Sequence, residues 1–108
     1  MDPVERFEAL LAAGKDNAML RFGLGMAYLN AGNCARAAEH LRRAVEHDAE
    51  YSAAWKLLGK ALAGSGDRAA AIEAYTRGIA TAERRGDKQA AKEMTVFLRR
   101  LQREEGAS

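Results

Sequence analysis

Two histidines, one cysteine and three arginine pairs are the side chains of this 108-residue chain that could do chemistry beyond packing. His40 and His47 are seven residues apart on one expected helix, about 10.5 Å along its axis at about 1.5 Å per residue. That is too far to share a metal ion, so both are expected at the surface or at a groove edge. Cys34 falls at a helix start, where the dipole favours a thiolate. No histidine or acid stands beside it in sequence to activate it, so it reads as a small helix-start residue. As the single cysteine it has no intramolecular disulfide partner. Gly23-Leu24-Gly25 lacks both the third glycine and the preceding strand of a nucleotide-binding turn. Arg85-Gly86-Asp87 reads as helix end, glycine cap and next helix start. No nucleophile–base pair and no metal set can be assembled, so the expectation is a non-enzymatic chain with no catalytic residue, no metal and no cofactor.

The pairs Arg42-Arg43, Arg84-Arg85 and Arg99-Arg100 are interleaved with Glu39, Glu46, Glu83 and Glu93. Such alternation, with almost no aromatic neighbours, describes a solvated face rather than a nucleic-acid stripe. The whole chain carries 17 basic and 15 acidic residues, a net charge of +2. Neither nucleic acid nor a membrane is therefore an expected partner. The N-terminal Asp2-Pro3-Val4-Glu5-Arg6 has no apolar run resembling a secretion signal, no segment approaches the roughly 18 apolar residues of a bilayer span, and no Asn-x-Ser/Thr sequon occurs. The expected compartment is cytoplasmic.

The positions these side chains occupy are set by a repeat. Displacing the chain by 34 residues superimposes Leu24-Gly25 on Leu58-Gly59, Ala27 on Ala61, Gly32-Asn33 on Gly66-Asp67, Leu41 on Tyr75 and Val45 on Ile79. Within each period the apolar residues recur every three or four positions, the spacing of an amphipathic helix. Leu20, Leu24, Ala27, Tyr28 and Ala31 form one such series and Ala37, Ala38, Leu41, Ala44 and Val45 the next. Between them, Asn33 and Asp67 follow a glycine and are natural N-caps. Each unit is helix, tight turn, helix. Aromatics make up only 6% of the chain and the single proline is Pro3, a composition that favours helices over strands. Gly25 and Gly59 sit mid-helix, where glycine costs about 1 kcal/mol relative to alanine. Their recurrence predicts a neighbouring helix pressed on the backbone there, with Ala37 and Ala71 as the matching small residues.

Trp55, Leu58, Gly59, Leu62, Ala71 and Tyr75, with Leu24, Gly25, Tyr28, Ala37, Leu41 and Ala44 in the first unit, resemble the signature of the tetratricopeptide repeat family, in its small two-repeat bacterial form. The resemblance covers about residues 18 to 85. It implies an all-α fold, an α-α superhelix of about six antiparallel helices, and a protein-binding role. Some positions depart from the pattern: Arg21 stands where Trp55 does, Gly78 replaces a usual alanine, and Ala49 and Glu83 occupy the closing proline positions. Losing the second proline predicts a helix from Arg68 to about Arg85.

The expected domain is single, 1–108. Residues 3–14 form a capping helix with the stripe Val4, Phe7, Leu10 and Leu11. Repeat one is 18–51, repeat two 52–85. A second capping helix over 87–103 carries Ala90, Ala91, Met94, Phe97, Leu98 and Leu101 on its inner side, with Arg99 and Arg100 facing water. Residues 104–108 are expected to fray.

In a solenoid of this kind the first helices line the concave side. Phe22, Met26, Leu29 and Asn30 point there in repeat one; Lys56, Lys60 and Ala63-Gly64 hold the same slots in repeat two. Large apolar groups beside two lysines suit a peptide with an apolar side chain next to an acid. The competing reading has the C-terminal cap filling this groove through Met94 and Phe97, leaving Phe22 and Met26 as ordinary core. The family's chaperone-binding subtype places Lys and Asn where this chain has Phe22 and Met26, so that specificity does not carry over. The partner is expected to be a protein or peptide, and the chain a monomer or weak homodimer.

Overall fold

The structure, a computed structural model, describes residues 1–107. Six helices follow in order: α1 (Pro3–Ala12), α2 (Ala18–Asn30), α3 (Cys34–His47), α4 (Ser52–Gly64), α5 (Arg68–Arg84) and α6 (Lys88–Ala107). Side-chain oxygens of Asp2, Asn17, Asn33, Asp67 and Asp87 each accept a hydrogen bond from the amide three residues on. These bonds satisfy donors that a helix start otherwise leaves unpaired. Helix α4 is the exception: it begins after Tyr51, whose side chain makes no cap bond. Gly32 and Gly66 end the first helices with φ of 82° and 88°, a conformation that a Cβ would strain.

Helix α5 has 17 residues against 14 in α3, although neither is closed by a proline, and Gly86 follows it at φ 76°. Helix α6 runs to Ala107, beyond the expected stop at residue 103. Nothing between Leu101 and Gly106 interrupts it; Ser108, the last of the residues expected to fray, lies outside the described residues. Helix α1 is shorter than expected and stops at Ala12, with Gly14 in the left-handed turn behind it.

Helices α2, α4 and α6 lie side by side, each consecutive pair bringing Cα atoms within 8 Å, whereas α3 and α5 stay farther apart than that. A stack that is tighter in one layer curves toward it, so α2, α4 and α6 form the inner face. Leu24, Leu41 and Met94 are the largest side chains fully removed from solvent, each contributing roughly 1.5–3 kcal/mol by burial.

The mid-helix glycines are nests, but not for alanine. A Cβ added to Gly59 would lie 2.6 Å from the Tyr75 ring, and one on Gly25 would run into Leu41. The contact falls one helical turn beyond the expected Ala37 and Ala71, which are themselves fully buried. A large side chain, rather than a second small one, lies against bare backbone. Gly78 repeats the device toward the C-terminus: an added Cβ would meet Met94 Sδ at 2.5 Å and Trp55 Cβ at 2.8 Å. Its departure from alanine lets α6 dock.

Candidate functional site

On the inner face, α2 presents Phe22, Met26 and Asn30 at intervals of four, one side of a helix. Phe22 is half-buried and stacks on Tyr51, with ring centroids 4.9 Å apart. Met26 is 42% exposed and Met19, one turn before Phe22, is 76% exposed. Asn30 is exposed at the end of the helix. These residues form an apolar strip open to solvent. The C-terminal cap does not cover it. Met94 sits on Gly78 and Phe97 stacks on Tyr75 at 5.7 Å, and among the described residues no Cα of α6 comes within 8 Å of α2. The apolar side of α6 is taken up by α5, which leaves Phe22 and Met26 uncovered by it.

The two lysines of α4 diverge. Lys56 Nζ donates to Glu93 Oε2 of α6 at 3.3 Å, so its charge is already paired. Lys60, one turn on, has no anionic partner among the described residues. It lines a cavity of 440 Å³ between α4 and α6, together with Ala63, Tyr75, Phe97, Arg100 and Leu101. Arg100 is exposed, as expected. Its guanidinium stacks over Phe97 at 5.8 Å from the ring centroid and has no carboxylate partner among the described residues. Tyr75 is 3% exposed, and its hydroxyl, which makes no hydrogen bond among the described residues, keeps contact with solvent. Burial pushes this phenol up to about 12, against the opposing pull of the nearby Arg100 charge.

A second polar cluster joins α1, α2 and α3. Arg21 clasps Asp16 with two bonds of 2.7 and 2.9 Å and donates to His40 Nδ1 at 2.9 Å. Arginine only donates, so Nδ1 accepts and the neutral ring carries its proton on Nε2, 3.4 Å from Glu8. Tyr28 stacks flat on His40 at 5.4 Å and donates its hydroxyl proton to Glu8 at 3.0 Å. Of the two places expected for His40, the open surface is excluded, because Glu8 and Tyr28 enclose it and leave it 8% exposed. It stands at the edge of a groove lined by Arg21, Glu39 and Glu46. Burial lowers the His40 pKa, and the Glu8 charge opposes. The bond from Arg21 holds Asp16 well below the ordinary carboxylate range, at about 2. His47 reaches the same Asp16 at 3.1 Å from the more exposed side. Among the described residues no group of His, Cys, Asp or Glu is placed to hold a metal. Cys34 is half-buried, its Sγ 2.6 Å from where a Gly64 Cβ would stand, and is a packing residue.

Stacked helical hairpins with an open inner face define a helical-repeat protein. The sequence profile of tetratricopeptide repeats matches residues 4–44 and 22–90. A TPR repeat-containing protein of Pseudomonas aeruginosa is 62% identical over 100 residues, spanning 93% of this chain and 95% of its own. The chain belongs to the tetratricopeptide repeat family. Among solved structures, the solution structure of a Bordetella parapertussis protein superimposes with a TM-score of 0.84 at 50% identity, covering 100% of this chain and 94% of the other. The TPR domain of Sgt2 from Aspergillus fumigatus gives 0.82 at 28% identity, over 97% and 69% of the two chains. The family places the chain among protein–protein interaction modules, which are generally non-enzymatic. No helix among the described residues is long and apolar enough to cross a membrane.

Proposed function

We propose that the face made by α2, α4 and α6 binds a segment of a partner protein, seating an apolar side chain on Phe22 and Met26 and an acidic group toward Lys60. The observation that carries this reading is the open apolar strip of α2 beside an unpaired cation on α4. An exposed methionine next to a half-buried aromatic is the kind of adaptable surface that binding proteins use. Asn30 closes the strip at its C-terminal end and supplies an amide for a peptide backbone. Lys56, held by Glu93, contributes its aliphatic stem rather than its charge.

Panning a random peptide library on the intact chain tests the reading. Selected peptides should combine an apolar and an acidic residue, and should lose at least about tenfold in affinity for the double variant Met26→Glu, Lys60→Glu, while its helical circular dichroism is retained. Peptides bound equally by that variant would refute the assignment. So would sedimentation in which the wild type is a tight dimer that Met26→Glu dissociates, because the face would then belong to a second copy.

A further inference from the structure

We infer that the outer side of α6, turned away from α4 and α5, is a second docking surface that takes an acidic amphipathic helix of a partner protein. The row Lys88, Lys92, Arg99 and Arg103 meets its acids, and Val96 meets its apolar side chain. None of these residues lines the cavity beside Lys60, and among the described residues no Cα of α6 comes within 8 Å of α2.

The phase of the helix puts the row on that side. Met94 lies against Gly78 of α5, and Glu93 is bonded to Lys56 of α4. At about 100° per residue, the four cations fall about 120° to 180° round from Met94. All four are exposed, and Val96 among them is 51% exposed. From Lys88 to Arg103 the row runs about 22 Å at about 1.5 Å per residue.

The row is also of one sign. Glu93 is held by Lys56 and Glu104 borders the cavity beside Lys60, while Glu105 falls about 100° or more round from every cation. None of the four cations has a hydrogen bond or ion pair among the described residues. Like charges one turn apart, as in Lys88 with Lys92 and Arg99 with Arg103, weaken a helix. Lys88 further opposes the dipole at the start of α6, whose first turn holds no acid. Nothing among the described residues offsets these costs, and an acidic partner does. Elsewhere the surface arginines are matched, Arg43 with Glu46 and Arg84 with Glu50. Val96 decides the kind of partner. Phosphates give an exposed valine nothing to pack on, and the one ring of α6, Phe97, stacks inward on Tyr75 rather than standing ready for bases. An apolar centre inside a charged rim is the plan of a protein interface. The row faces the open end of the stack, where a further helix has room to lie along α6.

A library of helix-forming peptides would be panned on the variant Met26→Glu, Lys60→Glu, whose inner face is blocked, and the recovered peptides titrated into the intact chain. They should carry acids about one turn apart on both sides of an apolar residue. Their affinity should fall at least about tenfold for Lys92→Glu, Arg99→Glu and about threefold for Val96→Ser, with helical circular dichroism retained. The pair Lys92→Gln, Arg99→Gln, which adds no acid, should lose about threefold and gives the same reading should the reversed pair unfold. A short duplex DNA serves as the second probe. It should bind more weakly than the peptides and should not distinguish Val96→Ser from wild type. Recovery of no peptide, or of peptides without acids, would overturn the proposal, as would affinity undiminished by either change at Lys92 and Arg99. Duplex held more tightly than every peptide would overturn it too, and would give the row to phosphates. Peptides panned on the wild type that ignore Met26, while acidic ones still need Lys92 and Arg99, would remove the inner face and spare the row. The opposite pattern would remove the row alone.

Discussion

Arg21 and Trp55 occupy the same slot of the two repeats, and both tie their helix to the loop that precedes it. Trp55 donates its ring N–H to the Ala49 carbonyl at 2.8 Å and buries the ring, 7% exposed, under the Arg77 guanidinium. Arg21 clasps Asp16 with two charge-assisted bonds and reaches on to His40. The helical hairpin is the same in both. What differs is the force that holds it: apolar burial in the second repeat, ionic hydrogen bonds in the first. A repeat therefore tolerates a change of chemistry at a signature position when the replacement reaches the same loop.

The largest effect should come from the apolar tie. Trp55→Ala removes a ring packed beside Gly78 and should cost about 3–5 kcal/mol, read as the loss in a denaturant melt. A melt equal to wild type would mean that the two ties are not different in kind. Next come the glycine nests. Gly59→Ala forces a methyl into the Tyr75 ring and should cost about 1–3 kcal/mol by overpacking, offset by about 1 kcal/mol of helix propensity. Gly25→Ala meets Leu41, whose branched end can turn aside, so it should lose less. Equal losses would show that ring and aliphatic chain yield alike.

Smaller again is the pH response, which should belong to repeat one. The folded chain holds His40 below its ordinary pKa of 6.5, so on acidification the unfolded chain binds that proton first. The stability it contributes is present above pH 6.5 and is lost as pH falls through the lower folded value. The melting temperature should drop between pH 7.5 and 5.5 in wild type, and His40→Gln should flatten that slope. Glu8, Arg21 and Tyr28 surround the ring, and Asp16 adds a second loss only at much lower pH, between 3.8 and about 2. The smallest expected change is with salt. Asp16→Asn should melt below wild type in dilute buffer, and the difference should shrink at 1 M salt, where the screening length is about 3 Å.

What the sequence could reveal follows from the range of the interactions. Helix spacing, the caps at Asn33 and Asp67, and the turn glycines depend on residues within four positions of one another, and all could be read directly. So could the run of α5 up to the Gly86 turn. The partners of Gly25 and Gly59 are sixteen residues away, close enough to foresee a nest but not that Leu41 and Tyr75 would fill it. Lys56 and Glu93 are 37 residues apart, and Arg21 and His40 are 19 apart. No local pattern announces such pairs. Tyr75 was legible as a core ring. The fate of its hydroxyl was not, because that depends on where α6 brings Arg100 and Phe97. The exposure of Met26 was foreseeable from its phase on α2, whereas the half-burial of Phe22 depends on Tyr51 beyond the hairpin.

Helix α1 stands apart in having no residue fully shielded from solvent. Its attachments are the Phe7 ring against Gly23 and the Glu8 bonds to Tyr28 and His40. With so little of it buried, its amides can exchange with solvent in an opening that does not require global unfolding. The first dozen residues are therefore the natural point for attaching a tag or tether.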